Sequence, residues 1–417
     1  MKKIIFTLSL CLSLAFTSVS AFADEVIIRI DSDKVIFNDN TGKPFIDKNW
    51  RTQVPFRQTL EQYGATVEWN NEKRIAIATK GDITIEIPIG KNYIIKNGTK
   101  IANDTTSIII NQRTFLPIRK VMEAFESEVE WDHSMNTVVI TQTPFDKKAL
   151  LLNAYQKSNA WESFDSRIIM DMSMPLSDEN NIDQMAMKMK MYTSAFTNPM
   201  KIKMAADVEV DFMGEIMSQP FMEMYMTVDD NTTTQYMGIY DEAGELTWQK
   251  STTENELLLD TTGYNEQDME LLEQYITDVK YFGKYNVDGN TLLKFQYVIT
   301  GDIFDELMGE YLNLLSQSTA EEDIFVADMF KDMKDIQLIM YIDEESGELS
   351  KYEIDLSPII SSIFGSLSET EGIPVEDDFM LNNLKAKMVV EIDNINNATF
   401  FEIPVEALEA PEIEELQ

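Results

Sequence analysis

The sequence predicts an α+β protein in which a small helix-and-hairpin unit is used twice and a long antiparallel sheet with helices follows. Three observations carry this. The run RTQVPFR at 51–57 returns as RTFLPIR at 113–119, and a Trp follows each at a fixed interval. Arg51 and Arg113, Pro55 and Pro117, Arg57 and Arg119, and Trp69 and Trp131 all stand 62 residues apart, so one structural unit has been duplicated without slippage. Beyond about residue 166 the chain alternates apolar and polar residues with period two, the signature of strands with one buried face. Finally, 44 % hydrophobic residues with only 16 Gly and 12 Pro in 417 describe folded domains rather than disorder.

Taken in order, the chain opens on an export signal. Lys2 and Lys3 precede an apolar run over residues 4–19, and Ala21-Phe22-Ala23 supplies the small residues of a cleavage site. The run is shorter than the ~20 residues that span a bilayer, so cleavage after residue 23 is favoured over a retained anchor. The only cysteine, Cys11, lies inside this segment and too early for a lipid-attachment cysteine. The mature chain therefore has no thiol, no disulfide and no zinc–thiolate site. Losing two lysines and no acid takes the formal charge from −38 to −40, which disfavours nucleic acid and anionic membrane surfaces as partners. Such acidity reads as solubility outside the cell; cation gathering is the sharper alternative, but the acids do not fall at calcium-loop spacing. Domains are expected at 24–143 and 144–417, with an extracytoplasmic, envelope-associated location in a bacterium and no membrane-spanning segment in the mature chain.

Each half of the duplicated unit reads alike. Pro55 and Pro117 suit the first turn of a helix, where the missing N–H is not needed. The segments after them place apolar residues at helical spacing: Phe56, Leu60 and Tyr63, then Ile118, Val121, Met122 and Phe125. Gly64 is placed to cap the first helix. ATVEWNNEKRIAIAT and SEVEWDHSMNTVVIT then alternate as hairpins. Between the halves, two more strands are expected around Gly90 and the Asn97-Gly98 turn.

The signature R-T-x-[VL]-P-[FI]-R, a helix and V-x-W, present in both halves over about 26–141, resembles the copper amine oxidase N-terminal-like, or stalk, domain of exported bacterial proteins. The family's Gly-Ala after the helix stands as Gly64-Ala65 in the first half but as Glu126-Ser127 in the second. There a non-glycine must bear the left-handed conformation, or the turn must change. The resemblance implies a spacer or wall-facing adaptor, not an oxidase: copper amine oxidases hold copper with three histidines, and this chain has one, His133, in an expected hairpin turn. Arg51, Pro55, Arg57, Trp69, Arg113, Pro117, Arg119 and Trp131 are read as structural residues of a repeated core; a groove for wall polymer is the other reading.

From Phe145 the character changes. A helix over DKKALLLNAYQKSNAWESF opens the second domain, and methionine-striped strands follow. Met170, Met172 and Met174 share one face with Ile168; Met185, Met187, Met189 and Met191 share another such face; Met204 joins Ile202, Val208 and Val210; and Met222, Met224 and Met226 form a fourth stripe. Further strands are expected at 234–250, 281–299, 336–343, 348–356 and 380–393, and helices at 265–279, 301–316 and 357–365. Acidic loops are expected at 316–322 and 366–378, and a frayed tail from residue 406. Fifteen of the 25 methionines lie between Met170 and Met237. Methionine specifies a unique core poorly, because its thioether adapts to many neighbours. Three readings stand open: an ordinary sheet core, an adaptable cavity lined for an acyl chain or other apolar ligand, and a soft-metal site for Cu(I).

The order of elements over about 146–405, with the closing IQLIMYIDEESGELSKYEIDLS, resembles the LolA/LppX-type lipoprotein-carrier superfamily. The resemblance implies a strongly curved antiparallel half-barrel with helices on its concave side, and lipid-type cargo. The membrane-anchoring cysteine common among such carriers is absent.

Chemistry is not signalled anywhere. There is no G-x-S-x-G, P-loop, G-x-G-x-x-G after a strand, or H-E-x-x-H, and His133 offers the single imidazole. The expectation is an exported, non-catalytic envelope protein without cofactor or metal. The methionine-lined sheet would bind a lipid or other apolar small molecule, and the duplicated unit would face a cell-wall polymer or envelope protein. A ligand-free wall scaffold and a Met-based Cu(I) binder are the alternatives.

Overall fold

The computed structural model describes residues 25–175, 184–212, 214–229, 232–241, 243–254, 266–301, 335–361 and 383–412. The export signal at 1–23, the helix expected at 301–316 and the acidic stretches at 316–322 and 366–378 lie outside them. The chain forms two compact units, Met1–Pro144 and Phe145–Gln417.

The first unit begins with β1 (Ile27–Ile30), β2 (Asp33–Lys34) and β3 (Phe45–Ile46), none of which the repeat pattern announced. Its first repeat is β4 (Thr52–Pro55), α1 (Phe56–Gln62), β5 (Thr66–Asn70) and β6 (Ile75–Lys80). The linker forms β7 (Ile83–Pro88), β8 (Tyr93–Lys96), β9 (Thr99–Ala102) and β10 (Ile108–Ile110). The second repeat is β11 (Arg113–Pro117), α2 (Ile118–Ala124), β12 (Glu128–Asp132) and β13 (Thr137–Thr141). Both prolines stand one position before their helices, as the last strand residue and N-cap, rather than inside the first turn. Their extended backbone (ψ 117° and 111°) ends the strand and the helix starts at once.

Both helices end in the same Schellman pattern. Ala65 N–H donates to Leu60 O (2.9 Å) and Gly64 N–H to Glu61 O (3.0 Å), while Ser127 N–H donates to Met122 O (3.1 Å) and Glu126 N–H to Glu123 O (2.9 Å). Gly64 has φ +88° and Glu126 φ +67°, so the glutamate bears the left-handed conformation and the turn is kept. Asn97 and Gly98 both have positive φ, as a two-residue turn between β8 and β9 requires.

The repeats meet through β4 and β11. These strands pair antiparallel with Phe115 opposite Pro55, Leu116 opposite Val54 and Pro117 opposite Gln53. A shift of 62 residues exchanges Gln53 with Phe115 and Pro55 with Pro117, so it maps the ladder onto itself. Val54 and Leu116, both fully buried, mark a local two-fold axis. Ile28, Leu60, Ile85, Ile87, Met122 and Ile140 complete the core that this pair seeds.

The second unit opens on α3 (Lys147–Ser158), capped by Asp146, whose carboxylate accepts from Ala149 N–H at 2.9 Å. Six strands follow as a meander: β14 (Ser163–Pro175), β15 (Gln184–Thr197), β16 (Met200–Phe212), β17 (Glu215–Asp229), β18 (Thr232–Tyr240) and β19 (Leu246–Glu254). Then come α4 (Glu266–Tyr275), β20 (Ile276–Val287), β21 (Asn290–Ile299), β22 (Ile336–Asp343), β23 (Leu349–Asp355) and β24 (Lys385–Asp393). The described strands β14 to β24 join one eleven-stranded antiparallel sheet in the order β19-β18-β17-β16-β15-β14-β24-β23-β22-β21-β20. Inherited twist curls an open sheet of that width, here into a half-barrel.

Three boundaries differ from expectation. The segments 234–250 and 281–299 are each divided between two paired strands, the second pair turning at Asp288-Gly289. The helix expected to run to 279 stops at Tyr275, because Ile276 enters β20. The expected frayed tail is instead packed as far as Glu412. Val405–Leu408 is helical with Ala407 fully buried, and Lys250 N–H donates to Pro411 O at 3.0 Å. Residues 413–417 lie outside the described ones. Among the described residues no helix is long and apolar enough to cross a membrane.

Candidate functional site

In an antiparallel sheet, directly opposed residues project to the same face. The registers therefore join the methionine stripes into one surface. Met170 stands between Met189 and Met388, Met172 opposite Met187, and Met174 opposite Met185. Met191 faces Ala206 and Ala206 faces Met222; Met224 stands between Met204 and Met237, and Met226 faces Ile202. All eleven methionines singled out from the stripes thus share this face. Met217, Met237 and Met388 belong to it as well; the stripe pattern passed over them because each stands alone in its segment.

The same face continues through Val390, Tyr352 and Met340 to Phe295. There α3 covers it. Leu151, Ala154 and Tyr155 pack with Phe295, Tyr297, Leu338 and Met340, and the hydroxyls of Tyr155 and Tyr297 meet at 2.5 Å. Phe295 and Tyr297 are 0 % exposed and Met340 1 %. The eleven stripe methionines, by contrast, are all half-buried. One apolar face thus runs from a closed core under α3 into an open methionine-lined region.

The opposite face is polar. Lys188 pairs with Asp171 (3.1 Å), Lys190 with Glu209 (3.7 Å), Lys387 with Glu353 (2.6 Å) and Arg167 with Glu391. Burial alone would raise the Glu353 carboxyl above its ordinary range, but Lys387 and Lys351 beside it outweigh burial and hold it below. Toward the β19 edge this outer face becomes apolar, with Tyr225, Tyr236 and Trp248 packed under Phe401 and Ala407 of the C-terminal segment. Burial pushes the Tyr225 hydroxyl up to about 12, with Glu223 adding to it. So the fold buries the outer face at this edge and leaves Met224 and Met237, on the inner one, half-exposed.

The repeat signature in the first unit makes a different arrangement. Because β4 and β11 run antiparallel, the start of each repeat lies beside the helix start of the other. One groove, about 750 Å³, joins Arg51 to Pro117, Arg119 and Trp131. Its counterpart, about 550 Å³, joins Arg113 to Pro55, Arg57 and Trp69. In the first, Arg51 Nε donates to Asp104 (2.5 Å), Arg119 donates to Val129 O, and Trp131 Nε1 donates to His133 Nδ1 (3.0 Å). In the second, Arg113 donates to the carbonyls of Asn40 (2.9 Å) and Asp39 (2.8 Å), and Arg57 pairs with Glu61 (2.9 Å). Trp131 packs against the core, whereas Trp69 is 38 % exposed. A residue outside the signature, Trp50, lines the larger groove and is 84 % exposed. Among the described residues no group of three or more His, Cys, Asp or Glu could hold a metal ion.

Residues 30–140 match the family described as Copper amine oxidase N-terminal domain. No curated protein matches the chain by sequence. Among solved structures, similarity is found to LprF of Mycobacterium bovis, at 10 % identity over 63 % of this chain and 97 % of that one, with a TM-score of 0.31. The lipoprotein LppX of Mycobacterium tuberculosis gives 11 % over 62 % and 100 %, with a TM-score of 0.31. A LolA superfamily protein of Nitrosomonas europaea gives 7 % over 63 % and 96 %, with a TM-score of 0.16.

Proposed function

We propose that this is an exported, non-catalytic envelope protein that holds a lipid or other apolar ligand against the methionine face of its curved sheet. In this reading the duplicated first unit serves as a wall-facing adaptor. The observation that carries the reading is the passage of one continuous apolar face from full burial at Phe295, Tyr297 and Met340 to half-burial across the eleven stripe methionines. Flexible thioethers suit a surface that must accommodate ligands of varied shape. Apart from Glu215 at the end of β17, the cationic and acidic side chains of those strands are turned to the other face, where Lys188 pairs with Asp171 and Lys190 with Glu209. The rows of stripe methionines are thus left apolar without a charge to desolvate.

Native mass spectrometry of the mature chain, purified from an envelope-containing host and followed by organic extraction, tests this. A co-purifying lipid, or stoichiometric uptake of a fluorescent fatty acid, is expected. Neither appearing would refute the carrier reading in favour of a ligand-free scaffold. A second reading draws on the rows Met388–Met170–Met189 and Met204–Met224–Met237, each of which sets three thioethers side by side. Thioethers favour Cu(I). A Cu(I) titration in the same preparation separates the two, because micromolar binding there without lipid uptake supports the metal.

A further inference from the structure

The two grooves of the first unit carry an inference of their own. It rests on the adaptor reading of that unit and not on the methionine face. We propose that they are a pair of saccharide-binding sites, related by the local two-fold axis, that hold an uncharged glycan strand by stacking its sugar rings on exposed indoles.

Trp50 is the starting point. It occupies the left-handed region with φ +59°, where a bulky side chain is strained. Its counterpart 62 residues on, Gln112, holds the same conformation at φ +63°. The backbone position is thus dictated by the repeat, but the indole is not. The residue is 84 % exposed and lines the larger groove. Strain at an exposed aromatic that adds nothing to the core is what a binding residue shows. Trp69, 38 % exposed, plays the corresponding part in the smaller groove.

The polar groups beside these rings decide the ligand class. Arg51 is joined to Asp104 and Arg57 to Glu61, while Arg119 and Arg113 donate to main-chain carbonyls, so every guanidinium in the two grooves already has a partner. A guanidinium–carboxylate pair still presents donors and acceptors side by side, the complement of vicinal hydroxyls. An anionic polymer would have to displace these partners, and it would meet the carboxylates of Asp104 and Glu130 in the larger groove and of Glu61 in the smaller. Flat apolar faces flanked by donors already engaged and by carboxylates therefore suit the rings and hydroxyls of an uncharged sugar. Two grooves on one folded unit also allow a single strand to be held twice, which multiplies weak contacts.

The test uses the mature full-length chain in pull-downs on insoluble chitin and cellulose, with polygalacturonate and polyglycerol phosphate as anionic arms. Retention on a neutral glycan is expected, with quenching of tryptophan fluorescence by its soluble oligosaccharides. W50G, which relieves the left-handed strain, should fold at least as well as the parent yet bind roughly tenfold more weakly, the scale of one lost stacked ring. W50G combined with W69A should lose retention. Binding to the anionic polymers alone, or unchanged affinity in W50G and in the double variant, would overturn the proposal. Sedimentation with isolated bacterial walls tells its failure from that of the adaptor reading. Wall binding without glycan binding sinks only the saccharide sites, and absence of both sinks the adaptor as well.

Discussion

At Gly64 and Glu126 the duplication meets one backbone demand with two residues. The Schellman bonds and positive φ are the same, but the glutamate pays for a Cβ that the glycine lacks. Its carboxylate recovers little, since the pair with Lys96 is 72 % exposed on the glutamate side. Glu126→Gly should therefore stabilise the first unit by about 0.5–1 kcal/mol, and Gly64→Ala should destabilise it by about 1–2 kcal/mol, both read from urea midpoints. The space around Gly64 is open enough for a methyl, with Lys80 Nζ at 3.8 Å, so the cost there is conformational rather than steric. Glu353 offers a second residue-scale test. Its folded-state pKa lies below the ordinary 4.5, so folding favours the carboxylate. That stability is fully present above pH 4.5 and is lost as the pH falls through the depressed folded value. Glu353→Gln should cost about 1 kcal/mol at pH 7. The gap from the parent should close in denaturation curves taken below pH 4.5. A gap that persisted at pH 3 would mean that packing, not the ion pairs, holds this residue.

At the scale of elements, α3 is the wedge that closes one end of the curved sheet. Leu151 and Ala154 are fully buried against it, and Asp146 fixes where the helix begins. Asp146→Ala should remove about 1 kcal/mol, and Leu151→Ala about 2–5 kcal/mol. Both losses should appear in the unfolding of the second unit, with amide exchange in β4 and β11 unchanged. Loss of protection in β4 and β11 would contradict the division of the chain into two units. Elements were legible in the sequence wherever a period persisted. The alternation from Ile168 to Met226 gave strands of the right phase, and the fixed offset gave both α1 and α2. Short pieces such as β1 and β2 carry too few residues to show a period, and β1 is held by pairing in parallel with β13 and antiparallel with β2. The end of α4 was illegible for a different reason: residues 276–279 still look helical, and only pairing to β21 extends them. The grooves were hidden as well. Their arginines and tryptophans were visible as repeats, but the antiparallel crossing of β4 and β11 combines Arg51 with Trp131 and Arg113 with Trp69. No local reading of either half contains that exchange, nor does it single out Trp50, whose counterpart is Gln112.

Over the whole molecule, what distinguishes the methionine face is a gradient of burial along one surface, and oxidation reads that gradient directly. Peroxide converts an accessible thioether into a polar sulfoxide and spares a buried one. Met122, fully buried in the first unit, and Met340, 1 % exposed under α3, should resist. Met217, 66 % exposed, should react first, and the half-buried Met170–Met191 set should follow. Peptide mass spectrometry after graded exposure gives that order. Fatty-acid uptake should fall as the middle group is oxidised, because sulfoxides present unmatched dipoles to an acyl chain. Far-UV circular dichroism should hold steady meanwhile, since the strands keep their backbone ladders and the buried methionine of the core under α3, Met340, is spared. Uptake that survived full oxidation of Met185, Met187, Met189 and Met191 would place the ligand elsewhere than on this face. Unfolding that ran in step with their oxidation would instead mark the stripe as ordinary core, packed for stability and not for binding.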